Sequence, residues 1–194
     1  HPPLGARVFE AGLDKFDTLK EESRNQKRRS ARSMRRNHAR RNARRRQLRT
    51  ILVTAGLLPE DKAEQDALHR LDPYQLRARG LTEDLTAHEL GRALLHLAQR
   101  RGFRSNRKSG ESKEDTGILE EIGRLDEEIR RCGSSTLGHY LHHLTAGAHD
   151  PMRPRLRGVH TRRDMYASEF SALVSRQRRV HANILTDDLI EALE

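Results

Sequence analysis

The sequence has no tryptophan, a single cysteine (Cys132), and aromatic residues at only 4% of its 194 positions. One thiol excludes an intramolecular disulfide framework and any cysteine-based zinc site, and it fits a reducing compartment. Few aromatics, with 34% hydrophobic against 34% charged residues, mean a thin core. The expected body is small, helical, built of Leu, Ile and Ala, and stabilised by a partner. No stretch approaches the roughly 18 apolar residues that a membrane span requires. The opening His1-Pro2-Pro3-Leu4 has no apolar signal-peptide region. It also lacks an initiator Met, so the chain is expected to be cut from something longer. Glycine-rich phosphate loops are absent. Ser23, Ser30 and Ser33 have no partner that would make a nucleophile, and the carboxylates sit on helix faces as ordinary solubilising charge. No catalytic residue and no metal ligand is assigned.

The most telling absence is local. From Ser23 to Pro59 there is no Asp or Glu, and the same window holds thirteen Arg and Lys residues. The whole chain carries +10, so the remaining residues sum to −3. This is a mildly acidic body with one intensely cationic segment. No Gly or Pro interrupts that segment before Gly56 and Pro59, and Arg, Ala, Gln, Met and Leu are good helix formers. One long helix is therefore predicted from about Glu21 to Thr54, with Gly56 as its C-terminal cap and Pro59 as a stop. At 100° per residue, Arg28, Arg32, Arg36, Arg40 and Arg44 form one continuous row. Arg24, Arg35, Arg46 and Arg49 lie on another side, and Arg41 and Arg45 on a third. Met34, Leu48 and Leu52 share a narrow apolar stripe that Arg41 interrupts. A helix this polar is not held by a protein core, and its like charges repel at i, i+4. An anionic partner is expected to surround it. Arginine suits phosphate, because its planar fork donates paired hydrogen bonds. With few aromatics interleaved, the mode is backbone gripping and not base stacking.

A second basic patch runs from Gln99 to Lys108 and includes Arg100, Arg101, Phe103, Arg104, Asn106 and Arg107. Cations near a helix end are favourable in themselves, but this density exceeds that need and points to nucleic-acid contact. The H-x-x-H-H run of His139, His142 and His143, with His149 nearby, lacks supporting Cys or acidic ligands and reads as surface or partly buried histidine.

The rest is patterned as ordinary amphipathic helices. One spans about Glu60 to Leu71. Asp72-Pro73 starts a short helix that Gly80 closes. Thr86 and Glu89 form a capping box, followed by a face of Leu90, Ala93, Leu94, Leu97 and Ala98 that ends at Gly102. A polar loop over 103–114 precedes a helix marked by Ile118, Ile122, Leu125 and Ile129, which ends at Gly133. Thr136 to Leu144 is a short helix, and 145–160 an irregular connection. A helix opening at Thr161–Asp164 has Tyr166, Phe170, Leu173 and Val174 as its core face. A last helix begins after Thr186. Near the N-terminus, Val8 and Phe9 lie in a β-compatible run too short to form a sheet alone.

The order of these segments resembles one family. ARVFEA, then RRSARSMRRNHARRNARRRQLRTILVTAGLLP, DPYQLRARGL, LTAHELGRALLHLAQRRGFRSNRKS, TLGHYL and TRRDMYASEFSALVSRQ are similar to the bridge helix and first recognition-lobe part of the type II CRISPR RNA-guided DNA endonucleases, in their compact form. The resemblance covers nearly the whole chain and is thinnest between about 110 and 160. In that family, guide pairing reads sequence and the protein reads shape. The resemblance implies an all-α fold with a short N-terminal strand remnant. Residues 1–20 would be a remnant of a RuvC-like nuclease segment, 21–56 the Arg-rich bridge helix, and 57–194 the α-helical recognition lobe. It implies that Arg28, Arg29, Arg32, Arg35, Arg36, Arg40, Arg41, Arg44, Arg45 and Arg46 hold the guide RNA backbone along its seed. Arg100, Arg101, Arg104 and Lys108 would face the guide, and Arg162 and Arg163 match the start of a later recognition-lobe helix.

The implied partners are guide RNA (crRNA and tracrRNA), target DNA, and the remaining RuvC, HNH and recognition segments of a parent protein, with no membrane. The implied location is the prokaryotic cytoplasm. The family's first catalytic Asp, its other RuvC motifs and its HNH segment have no counterpart here. Mg²⁺ is expected for the full-length nuclease and not for this chain, which is expected not to cleave DNA alone. Two other readings of the same residues are an RNA-binding structural protein of a ribonucleoprotein and a helix-turn-helix DNA-binding protein using residues 86–108.

Overall fold

The computed structural model describes residues 13–14, 22–100, 113–146 and 159–193. The chain divides into two units, residues 1–46 and 47–194. Among the described residues of the first unit, β1 (Leu13–Asp14) and β2 (Glu22–Ser23) pair antiparallel, with Leu13 opposite Ser23 and Asp14 opposite Glu22. The strand anticipated around Val8 and Phe9 lies outside the described residues. Helix α1 (Arg24–Thr54) begins directly after β2. It starts three residues later than predicted, because Glu22 and Ser23 extend to pair with β1.

The end of α1 belongs to the second unit, and its stop is the one its sequence calls for. Gly56 has a φ of 71°, a left-handed backbone that glycine takes without steric cost. Its N–H donates to the Val53 carbonyl at 2.9 Å, and the Leu57 N–H reaches back to Leu52 at 2.8 Å. These two bonds are a Schellman motif, and the accompanying side chains, Leu52 and Leu57, are both buried in one cluster.

Seven further helices follow among the described residues: α2 (Lys62–Arg70), α3 (Pro73–Arg79), α4 (Ala87–Gln99), α5 (Lys113–Arg131), α6 (Leu137–Ala146), α7 (Arg163–Gln177) and α8 (Asp187–Leu193). Their starts follow local chemistry. Asp61 caps α2 by accepting from Glu64 N–H. Asp72 caps α3, with Pro73 in the first turn. Thr86 and Glu89 form the complete capping box of α4. Two boundaries and one buried face differ from expectation. α4 ends at Gln99 with Arg100 as its cap, before Gly102. α6 runs to Ala146, into the predicted connection. Ala98 is exposed, because α4 buries Gly91, Arg92 and Leu95 and so turns a different arc inward. The approach is close at Gly91, where a Cβ would lie 1.8 Å from the Leu57 carbonyl oxygen.

Among the described residues two hydrophobic clusters result. One gathers Leu52, Leu57, Leu76, Leu90, Leu94, Leu173 and Leu185, and the other gathers Tyr74, Ile122, Leu125, Leu137, Tyr140 and Met165. α3 packs on both α4 and α6, and contributes Leu76 to the first cluster and Tyr74 to the second. Polar side chains complete this interior. The buried Gln177 amide donates to the carbonyls of Gly80 and Glu83 at 2.7 Å each and accepts from Leu85 N–H at 3.0 Å. It satisfies the loop between α3 and α4, whose backbone groups would otherwise be costly to bury.

Candidate nucleic-acid interface

Helix α1 presents the densest charge. All thirteen cations of the Ser23–Pro59 window lie within it, and every residue from 25 to 47 is exposed. Arg28, Arg29, Arg32, Arg35, Arg36, Arg40, Arg41, Arg44, Arg45 and Arg46 therefore all face solvent. Met34, on the expected apolar stripe, is 58% exposed, while Leu52 is fully buried. The stripe is thus buried at its C-terminal end and open at Met34. At about 1.5 Å per residue, the stretch from Arg24 to Arg49 is ~38 Å long, or one positive charge per ~3 Å. A single strand of a nucleic-acid duplex carries one phosphate per ~3.4 Å of axis. The two densities match.

The helix bears that charge at a cost. Seven pairs of cations stand at i, i+4, each opposing the helix by about 0.2–0.5 kcal/mol. The first turn has no acidic residue to offset the positive end of the helix dipole. A polyanion would relieve both effects.

The other predicted contact residues separate into groups. Arg100 is exposed and stands over the Tyr74 ring, 5.7 Å from its centroid. Arg101, Arg104 and Lys108 lie outside the described residues. Arg162 is engaged by carboxylates, its Nη2 donating to Asp126 at 2.7 Å and its Nε to Asp164 at 3.1 Å. Arg163, the first residue of α7, is exposed. The histidine run is on α6, where the Nε2 atoms of His139 and His143 approach to 3.0 Å. Burial, then the neighbouring His143 and His142, hold His139 below the usual histidine pKa. Among the described residues no group of three or more His, Cys, Asp or Glu side chains is placed to hold a metal ion. No described helix is long and apolar enough to cross a membrane.

Sequence reasoning missed one structural element within the second unit. Arg77 and Glu169 are both 0% exposed. The Arg77 guanidinium donates to the two Glu169 oxygens at 2.5 and 2.7 Å. Glu169 also accepts the Gly138 N–H at 2.7 Å, at the start of α6. Gly138 is glycine for want of space, since a Cβ there would lie 2.2 Å from Glu169 Oε1. The pair joins α3, α6 and α7. Near it, burial and a 2.6 Å hydrogen bond to Glu128 push the Tyr140 phenol up to about 12.

The class is thus an all-α protein with a long, solvent-facing arginine helix leading into a two-cluster helical body. No protein-family model matches the chain. The CRISPR-associated endonuclease Cas9 of Campylobacter jejuni is 36% identical over 72 residues, which are 37% of this chain and 7% of that protein. That of Staphylococcus aureus is 41% identical over 54 residues, 28% of this chain and 5% of that protein. The crystal structure of Campylobacter jejuni Cas9 in complex with sgRNA and target DNA shares the fold over 89% of this chain, with a TM-score of 0.69 and 22% identity. The chain is thus similar in sequence to Cas9 proteins over part of its length and shares the fold of a solved Cas9 complex over most of it. It covers 24% of that solved chain, and so represents a minor part of its relatives' length.

Proposed function

We propose that this chain is the guide-RNA and RNA–DNA heteroduplex binding part of an RNA-guided DNA endonuclease. In this reading, residues 21–56 are its bridge helix, 57–194 the N-terminal part of its recognition lobe, and 1–20 a remnant of the RuvC-like segment. The observation that carries the reading is α1, with exposed arginine on nearly every side at the charge spacing of a nucleic-acid strand. The arginines of α1 grip successive phosphates of the guide and hold the seed backbone in A-form before target pairing. An A-form duplex is recognised largely through shape and backbone, so the chain binds with low base specificity. Arg100, Arg101, Arg104 and Lys108 extend the contact, and Arg163 adds to it at the start of α7. Arg162 contributes less, because Asp126 and Asp164 already share its donors. Phosphodiester hydrolysis and its Mg²⁺ belong to other segments of such an endonuclease, and the isolated chain does not cleave DNA.

Copurification from a host that expresses a repeat array and its trans-activating RNA tests the assignment. Enrichment of crRNA and tracrRNA is expected. Enrichment of ribosomal RNA in their place would favour a structural ribonucleoprotein component. Metal-dependent DNA cleavage by the isolated chain would contradict the division of labour.

A further inference from the structure

Tyr74 is where the buried ion pair meets the second basic segment. Arg77 and Arg100 each place a guanidinium 5.7 Å from the centre of its ring, and His96 meets it edge-on at 5.0 Å. The two cations are not equivalent. Arg77 is neutralised by Glu169 through two short hydrogen bonds, which removes most of its repulsion toward a second guanidinium. Arg100 is exposed, and its backbone N–H closes α4 on the Leu97 carbonyl. The negative end of α4 attracts a cation in this region but gives it no orientation. An aromatic ring does, since a guanidinium over it keeps a defined plane while its N–H groups still point outward.

We infer that Tyr74, backed by the Arg77–Glu169 pair, is a positioning residue that holds the Arg100 guanidinium ready for a nucleic-acid phosphate. The ring itself, 7% exposed, is too buried to stack on a base. It acts through Arg100. Arg77 and Glu169 fix the ring's place among α3, α6 and α7, so the core of the helical body reaches the binding surface through one aromatic side chain. This inference rests on the RNA-binding reading above and assigns it a residue that charge alone would not identify.

The test is a double-mutant cycle on the full chain, with a labelled RNA–DNA heteroduplex of about 20 base pairs as the probe. Tyr74→Leu is expected to weaken binding about two- to fivefold, the scale of an exposed cation–π contact. Arg100→Ala weakens it at least as much, and the double variant binds no worse than Arg100→Ala alone. Tyr74→Phe, which keeps the ring, binds like wild type. Additive losses in the cycle, or wild-type affinity for Tyr74→Leu, overturn the inference. If Tyr74→Leu does not fold, Arg100→Lys serves instead, since it keeps the charge on an exposed residue but loses the planar group. A loss of about two- to fivefold supports positioning, and wild-type affinity overturns it. Arg36→Ala with Arg40→Ala is the control for the underlying reading. If that variant loses affinity while the cycle is additive, the positioning role alone fails. If the wild-type chain does not bind the heteroduplex, both fail.

Discussion

On α1, ten arginines between residues 28 and 46 lie in solvent, whereas Arg77 lies 0% exposed among α3, α6 and α7. The residue type is the same and the surroundings are opposite. The spacing of the exposed set places no carboxylate beside it within α1. Many of its neighbours at i, i+4 are other cations, the pattern on which the proposed phosphate binding rests. Arg77 instead has every strong donor directed at the protein. Its pairing with Glu169 is bidentate, and the Gly138 N–H satisfies a further Glu169 lone pair. Burying such a pair stabilises little in net terms, but losing one partner strands a charge in the core. Arginine repeated without acids is thus the proposed binding element, whereas arginine met by one carboxylate, in a space too small for a Cβ, joins helices.

Removing one partner in each region breaks this comparison most sharply. Glu169→Ala is expected to destabilise the chain by about 3–5 kcal/mol, the cost of an uncompensated buried charge, measured by denaturant unfolding. Arg32→Ala on α1 is expected to change stability by less than about 0.5 kcal/mol, with a slight gain as like-charge pairs to Arg28 and Arg36 are relieved. Equal losses in the two variants would remove the distinction. Thr86→Ala comes next, at about 1 kcal/mol, because it deletes a cap that accepts from Glu89 N–H at 3.3 Å.

The smallest effect is in pH. The Thr86 backbone N–H, with its hydroxyl and Arg79, holds the Glu89 carboxyl below the usual glutamate range. The stability it contributes is present above the unfolded-state pKa and is lost as pH falls through the lower folded value. His139 acts earlier on the same descent. The unfolded chain takes its proton near 6.5, while burial and the adjacent histidines resist protonation in the fold. Acid melts should show a shallow loss beginning in the histidine range, and His139→Gln should remove that first step. A loss that survives the substitution would assign it elsewhere.

Much of this architecture is legible in local sequence. The Gly56 stop, the Asp72-Pro73 start and the Thr86–Glu89 capping box each depend on residues within a few positions of one another, and each forms. The acid-free run of α1 is legible for the same reason. The core of α7 is legible in part. Leu173 and Val174 are buried as expected, and Phe170 and Tyr166 pack partly buried on the clusters. Glu169 and Gln177 are buried too, and polar side chains break the apolar period that reveals a buried face. Arg77 is hidden among cations at 77 and 79, of which one is buried and the other is paired on the surface with Glu83. What separates them is a carboxylate 92 residues away, a contact that no local pattern encodes. The strand around Val8 and Phe9 and the contacts of Arg101, Arg104 and Lys108 fall outside the described residues.

The central claim is that the exposed α1 arginines neutralise nucleic-acid phosphates. It is tested most directly by the salt dependence of affinity for an A-form duplex, in wild type and in Arg36→Ala with Arg40→Ala. Two lost phosphate contacts should make the logarithmic salt slope shallower by roughly 1.4–1.8, with unfolding free energy unchanged. A slope identical to wild type would contradict the claim.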